Sequence, residues 1–249
     1  IVSLAKMLGY TPNSPRAPRA SINIVVNDGT GTSITMAKGT TFDSKVNDVS
    51  YQYVTNEDIT TTPIDGVFTF SNVTIYEGTL VKFKYTVDET DVDQKFVIPN
   101  ANADTSTLKV SVQNSANDTT LSAYTLSSGY TSVDASSKVY FIQEQRDGKF
   151  EVYFGDGVTG KKLENGNVVI LEYVVTNKTD SNGANVFGLQ GSVGGFTDVT
   201  ITTNSSSQGG SEAEDNESVK FNAPLNFAAQ DRAVTTTDYE TLVKGIYPN

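Results

Sequence analysis

Apolar and polar residues alternate along most of this chain, which is the pattern of β-strands that bury one face. Every second residue is apolar in three segments, 22–26, 81–87 and 108–112. Residues 138–154 contain two such runs joined by an Asp-Gly turn, which predicts a β-hairpin. Residues 168–175 (VVILEYVV) are almost continuously apolar, which predicts a central strand that is buried on both faces.

Helical spacing of apolar residues is found near the two ends of the chain. The first eight residues (IVSLAKML) show this spacing, and Gly9 then ends the pattern as it ends many helices. Near the other end, residues 211–214 (SEAE) and 237–240 (TDYE) both fit the capping box that opens a helix. Because short helices are not stable alone in water, we expect the N-terminal helix to pack against one of these two.

Together these patterns predict a fold that is mainly β with a small α part (α+β). It has two β-sandwich-like modules and a short-helix region formed by the N- and C-terminal segments. The expected domains are a helix and Pro-rich joint at 1–18, a first β-domain at 19–100, a second β-domain at 101–204, and a helical C-terminal region at 205–249 that starts a further domain. The uncapped first helix and the abrupt last segment suggest a fragment of a longer polypeptide.

Composition argues against most catalytic chemistry. The chain has no cysteine and no histidine, which removes thiolate zinc sites, cysteine nucleophiles, serine–histidine triads and the usual general base. Its net charge of −11, from 29 acidic and 18 basic residues, argues against a nucleic-acid binder. There is also no apolar run of the roughly 18 residues that a membrane helix needs. We therefore expect no enzyme activity, no catalytic residues, no cofactor, no metal, and neither nucleic acid nor membrane as a partner.

Three local patterns admit a sharper chemical interpretation beside a simpler one. Asp88, Glu89, Asp91 and Asp93 could bind calcium, but the EF-hand spacing is absent and a solvated acidic loop is the simpler interpretation. Residues 155–160 (GDGVTG) are glycine-rich, but they lack the Lys-Ser/Thr ending of a phosphate loop, so a turn between strands is favoured. Among 29 acidic residues some pair always suits glycoside cleavage, and the sequence does not exclude one.

Several blocks in a fixed order resemble one protein family. The first block contains Asp147-Gly148, Phe154-Gly155-Asp156-Gly157, Gly160, Asn165-Gly166 and Tyr173. The second contains Gly209-Gly210-Ser211, an acidic run over 212–217, Ala223-Pro224, Arg232-Ala233-Val234-Thr235 and Asp238-Tyr239-Glu240. Together they resemble the baseplate J-like family, the wedge proteins of contractile phage tails and related injection machines. One segment, 88–137, is richer in Asn, Asp, Ser and Thr than the family pattern needs.

This resemblance implies a structural role in a contractile phage tail baseplate. Protomers are expected to dimerise and to link neighbouring wedges into a ring around the tail tube. The implied partners are the protein itself and other baseplate wedge proteins, in a virion baseplate assembled in the host cytoplasm. The modules are expected to hinge as the baseplate rearranges on infection. The candidate hinges are the Pro-rich joint at 13–18 and the Ser/Gly segment at 204–210, where few backbone hydrogen bonds would be broken.

The candidate contact residues lie in the C-terminal region. Residues 211–247 hold more aromatic and apolar surface than so small a helical unit can bury within itself. A neighbouring protomer, the β-domains or further chain would have to cover it. The candidate protein–protein interface residues are Arg232, Tyr239, Leu242, Phe227 and Tyr247.

A second class of function remains open at the level of sequence. Thr-, Ser- and Asn-rich β-modules also occur on phage and bacterial surfaces, where they bind a host glycan or receptor. Such a module should show an exposed aromatic platform or a calcium cluster, and it should be a monomer. A wedge protein should instead show a self-complementary interface of more than about 1,000 Å².

Overall fold

A computed structural model describes residues 2–127, 133–145, 147–229 and 243 of the chain. The helices in this part are α1 (Val2–Met7) and α2 (Asn216–Ala229). The strands are β1 (Arg19–Val26), β2 (Ile34–Met36), β3 (Thr41–Val46), β4 (Val49–Val54), β5 (Ile59–Thr61), β6 (Phe68–Glu77), β7 (Thr79–Thr86), β8 (Phe96–Val97), β9 (Ala103–Gln113), β10 (Leu121–Leu126), β11 (Val139–Glu144), β12 (Phe150–Phe154), β13 (Val168–Val175), β14 (Gly188–Gln190) and β15 (Val199–Gln208). The expectation of a mainly β fold with a small α part is confirmed.

The first sheet has six strands in the order β14-β3-β4-β6-β1-β15. All of its pairings are antiparallel, and β1 lies between β6 and β15, the last strand among the described residues. The alternating residues Ile22 and Ile24 of β1 face a core that also contains Phe42, Phe70 and Ile75. The alternation seen in the sequence of β1 is therefore the alternation of its buried and outer faces.

The second sheet has seven strands in the order β7-β13-β9-β10-β11-β12-β8. Its β13 lies between β7 and β9, as expected of a continuously apolar strand. The inner residues of β13, Val169, Leu171 and Tyr173, are fully buried in the core of this sheet. Strands β11 and β12 form the expected hairpin, with Glu144 opposite Phe150, although Arg146 of its turn lies outside the described residues.

Sheet membership divides the chain differently from the expected boundaries at residues 100 and 204. Strands β7 and β8 belong to the second sheet, and β14 and β15 return to the first. The chain leaves the first sheet at Gly78, where φ is +120° and an added Cβ would lie 2.1 Å from the carbonyl oxygen of Val175. This close approach requires glycine. The assignment of folding domains stays a prediction.

The two helices pack against each other, as expected. Ala5 of α1 forms a small buried cluster with Val219 and Ala223 of α2. Within the described residues, neither helix makes an extended contact with any strand. The helical pair is therefore a separate small unit beside the sheets.

The predicted capping box at residues 211–214 is wrong. Helix α2 begins at Asn216, and Asp215 accepts a hydrogen bond from the backbone N–H of Ser218 at 2.7 Å, which makes Asp215 the N-cap. Ser211 instead forms a β-bridge with Arg16. The second predicted box, at 237–240, lies outside the described residues.

The reason given for the two predicted hinges does not hold. Most of the 204–210 segment is the end of β15, which pairs with β1. The joint at 13–18 makes backbone hydrogen bonds through Asn13, Arg16, Ala17 and Pro18. Motion at either segment would therefore break several hydrogen bonds.

Candidate protein–protein interface

The inner face of α2 is longer than the helix that covers it. Val219 and Ala223 are buried against α1, and Phe227 follows them at the same four-residue spacing. Helix α1 has six residues and α2 has fourteen. At a rise of about 1.5 Å per residue, α1 covers less than half of α2. The Phe227 side chain, 54% exposed, extends this stripe beyond the covered part.

Other apolar side chains of the helical pair are also in solvent. Phe221 on α2 is 64% exposed, and Leu4 and Met7 on α1 are 65% and 81% exposed. Among the described Phe and Tyr residues, Phe221 and Phe227 are the exposed ones, whereas the aromatic residues of the two sheets are buried or half-buried. In the described chain, the aromatic side chains that are more than half exposed therefore lie on α2.

The structure places one of the five predicted interface residues. Phe227 is on α2 and exposed, while Arg232, Tyr239, Leu242 and Tyr247 lie outside the described residues.

Sequence reasoning did not single out Leu4 and Met7. Their spacing of three residues places them on one side of α1, and Ala5 and Leu8 contact the α2 cluster. The sequence contains both pairs of residues, but only the position of α2 shows which side of α1 is exposed.

The helical pair is attached to the rest of the chain through Glu214, the residue before the N-cap. Its carboxylate accepts hydrogen bonds from the Tyr10 hydroxyl at 2.7 and 2.9 Å, from the Asn13 backbone N–H at 3.0 Å and from Asn222 Nδ2 at 2.8 Å. Burial, followed by the hydrogen bond and charge of Glu214, raises the pKa of Tyr10. The hydroxyl therefore stays protonated and keeps donating.

A second carboxyl group faces Glu214 from the second sheet. Burial and then the negative charges of Glu214 and Asp147 raise the pKa of Glu144, at the end of β11. Its Oε2 is buried and makes no hydrogen bond to a described residue. On the same strand, the Ile142 carbonyl accepts a hydrogen bond from Thr11 Oγ1 at 3.4 Å.

Two buried carboxylates lie where the sheets meet. Glu77, at the end of β6, accepts hydrogen bonds from Thr176 Oγ1 at 2.6 Å and from Asn177 Nδ2 at 2.6 Å. Asp104, on β9, accepts from the Ala17 backbone N–H at 2.8 Å and from Ser106 Oγ at 2.6 Å. Burial raises the pKa of Asp104 despite these hydrogen bonds. Both groups fix loops between the sheets, since buried carboxylates need such donors.

An ion-pair network joins β13 of the second sheet to the neighbouring strand β7 and to the β2–β3 connection. Glu172 of β13 lies 2.6 Å from Lys38 Nζ and 2.9 Å from Lys82 Nζ. Lys38 belongs to the connection between β2, which pairs with β5 in a separate two-stranded sheet, and β3 of the first sheet, so this contact ties that connection to β13. Burial acts to raise the pKa of Glu172, but the hydrogen bonds and charges of the two lysines outweigh it and lower the pKa.

The acidic loop shows no metal-binding geometry. Among the described residues, no group of three or more Asp and Glu side chains could hold a metal ion. Asp88 Oδ1 instead accepts hydrogen bonds from the backbone N–H and hydroxyl of Thr90, and Asp91 accepts from the N–H of Asp93. These bonds close local turns, which fits the simpler interpretation.

The glycine-rich segment at 155–160 is a turn. Asp156 Oδ1 accepts the backbone N–H groups of Val158 and Thr159, and Gly157 donates to the carbonyl of Gly160. The interpretation as a turn after β12 is confirmed.

The helices in the described part of the chain are too short or too polar to span a membrane.

Comparison with known proteins shows what this chain is similar to. Residues 80–189 match the family described as the third domain of bacteriophage baseplate wedge protein gp6. The chain is also 26% identical, over 269 aligned residues, to the baseplate wedge protein gp6 of Enterobacteria phage T4. The resemblance to a baseplate wedge protein is confirmed.

The match to gp6 extends over almost the whole chain but only part of the relative. It covers 98% of this chain and 40% of the T4 protein. The third-domain match, at 80–189, contains the seven strands of the second sheet except for Thr79, the first residue of β7. The third-domain match therefore contains nearly all of the second sheet together with Gly188 and Leu189 of β14, a strand of the first sheet.

Proposed function

We propose that this protein is a structural component of a contractile phage tail baseplate. The observation that carries the proposal is the similarity to gp6, which includes 98% of the chain. In this role the protein acts as a wedge subunit in the virion baseplate, assembled in the host cytoplasm. It works by holding partners in place and not by catalysis, with no requirement for a cofactor, nucleic acid or a membrane.

We further propose that the helical pair supplies contacts between protomers that link neighbouring wedges into a ring around the tail tube. Support comes from the exposed aromatic residues of α2, Phe221 and Phe227, and from the short α1 that leaves Phe227 uncovered. Aromatic side chains are frequent anchors of protein interfaces because they bury large areas. The second copy would cover the part of α2 that α1 does not reach.

The proposed ring subunit also changes shape when the baseplate rearranges. The connection between the helical pair and the sheets favours motion there, because neither helix packs extensively on a strand among the described residues. The joint at 13–18 and β15 are hydrogen-bonded and would resist bending. The hinge motion proposed is a rotation of the helical pair relative to the sheets, which requires breaking or shifting hydrogen bonds of the joint at 13–18.

The test is the size of the chain in solution as a function of concentration. Analytical ultracentrifugation of the unaltered chain should show self-association, and Phe227→Ala should raise the dissociation constant by about fivefold or more if Phe227 is a buried anchor. Tyr239→Ala, from the predicted set, should act in the same direction. A matched control is Val158→Ala, an exposed apolar residue on the 155–160 turn, which should leave association unchanged.

Two results would count against the interface. A chain that stays monomeric at every concentration would contradict self-association through any surface. Unchanged association in Phe227→Ala together with weaker association in Val158→Ala would move the contact from the helical pair to the sheets.

A further inference from the structure

The Pro-rich segment at residues 13–18 contacts the start of the helical region and both large sheets. Pro15, Ala17 and Pro18 are buried although the segment belongs to neither a helix nor a named strand. Its residues alternate between partners: some bind the start of the C-terminal helical region and others bind the sheets. A linker that only spans distance would be solvated, so these buried contacts indicate a further role.

One set of contacts reaches the helical pair. The backbone N–H of Asn13 donates to Glu214 Oε2 at 3.0 Å, and the Glu214 N–H donates to the Asn13 carbonyl at 2.9 Å. Arg16 and Ser211 exchange two backbone hydrogen bonds of 3.0 and 3.1 Å. Glu214 directly precedes the cap of α2 and also binds Tyr10 after α1. Asn13 and Arg16 are therefore bonded to the segment that leads into α2.

The other set reaches the junction between the sheets. The Ser14 hydroxyl lies 2.8 Å from Thr105 Oγ1 and accepts the Thr105 backbone N–H at 2.9 Å. The Ala17 N–H donates to Asp104 Oδ2 at 2.8 Å. Both partners are on β9 of the second sheet.

Ala17 and Pro18 also contact the first sheet. The Pro18 carbonyl accepts the N–H of Glu77 at 2.8 Å, at the end of β6. The Ala17 side chain is buried between Val54 of β4 and Val174 of β13. One short segment therefore lies between a strand of each sheet.

We propose that residues 13–18 form a strap that couples the position of the helical pair to the contact between the two sheets. Because the strap is short, buried and bonded alternately to the helical region and to the sheets, displacement of Glu214 moves the residues that fill the inter-sheet junction. Among the described residues the helices do not pack extensively on the strands, so the strap is one of the two main connections. The other is the 209–215 segment, where Gly210 binds Asn182 and Glu212 pairs with Lys178. This coupling belongs to the isolated chain and does not depend on a baseplate role.

Amide hydrogen exchange on the 249-residue chain tests the coupling. Glu214→Ala removes contacts at the helical end only. The expected result is about fivefold faster exchange of the Ala17 and Thr105 amides, which Glu214 does not contact, because each depends on one hydrogen bond to a displaced partner. In the reverse direction, Asp104→Asn should speed exchange at the Asn13 and Glu214 amides.

Two further variants complete the test. Thr105→Val removes only the hydroxyl contact with Ser14 and provides a milder version if Asp104→Asn fails to fold. Asp118→Ala is the matched control, because Asp118 binds Asn114 and Thr120 in its own exposed loop, and it should leave strap amides unchanged. Faster exchange in Glu214→Ala confined to Asn13 and its immediate neighbours would overturn the proposal, as would full protection of Asn13 in both Asp104→Asn and Thr105→Val.

Discussion

The two sheets and the helical pair differ in how each is held together. Among the described residues, the core cluster of each sheet contains fifteen buried hydrophobic residues, whereas the helical pair buries three: Ala5, Val219 and Ala223. Burial of apolar surface is the main stabilising contribution to folding. The sheets therefore have large apolar cores of their own, while the described part of the helical pair relies more on hydrogen bonds, such as those of Glu214 with Tyr10 and Asn13.

The strongest test of this comparison is a pair of core truncations. Leu171→Ala, in the centre of β13, should lower the free energy of unfolding by about 2–5 kcal/mol, because it leaves a cavity in a closely packed core. Val219→Ala, in the helical pair, should cost about 1 kcal/mol or less of global stability, since little surrounds it. Urea unfolding followed by circular dichroism measures both.

The control is Leu171→Met, which keeps the volume and should cost less than about 1.5 kcal/mol. If Val219→Ala destabilises the whole chain as much as Leu171→Ala does, the helical pair is an integral part of the main cores and the comparison fails.

The contrast between these regions also explains how much of the fold could be predicted from the sequence. Strands β1, β7, β9 and β13 and the β11–β12 hairpin were predictable because a period of two, or a continuous apolar run, reflects burial of residues close in sequence. Apart from this hairpin, which strands share a sheet could not be predicted. The pairing of β1 with β15 joins Val26 to Val199, and local patterns carry no signal for contacts this distant.

The helical region shows the same limit at the level of single residues. Ser211 fits a cap by pattern, but the structure uses it in a bridge to Arg16 and commits Glu214 to Tyr10, so Asp215 becomes the cap. Phe227 could be selected from its sequence neighbourhood. Its exposure, however, depends on the length of α1, which cannot be inferred from the residues of α2.

Lowering the pH should change the stability contributed by Glu172 and by Asp104 in opposite directions. The pKa of Glu172 is lowered below its usual 4.5 by Lys38 and Lys82, so its contribution is present above that pH and is lost as the pH falls through the lowered pKa. The pKa of Asp104 is raised above its usual 3.8 by burial, so its ionisation reduces stability as the pH rises from 3.8 through the raised pKa.

Urea midpoints measured from about pH 3 to 7 separate the two carboxylates. Glu172→Gln should lower the free energy of unfolding by about 1 kcal/mol or less at neutral pH, since an ion pair of this kind contributes little. It should also reduce the loss of stability that the unaltered chain shows as the pH falls. Asp104→Asn should reduce the decline in stability that the unaltered chain shows as the pH rises. A Glu172→Gln profile with the same acid-side slope as the unaltered chain would show that the lysine pairs do not contribute.

The smallest expected effect distinguishes the two candidate caps of α2. Asp215→Ala removes the acceptor for the Ser218 N–H and should destabilise α2 by about 1 kcal/mol, the usual contribution of an N-cap. Ser211→Ala keeps the backbone bridge to Arg16 and should change stability by less than about 0.5 kcal/mol. The effect should appear as faster amide exchange within α2 and leave β13 protected, because the helical pair opens without unfolding the sheets. If Ser211→Ala had the larger effect, the sequence pattern at 211–214 would define the helix start after all. If Asp215→Ala instead increased exchange in β13, the sheets would depend on the helical pair for their stability.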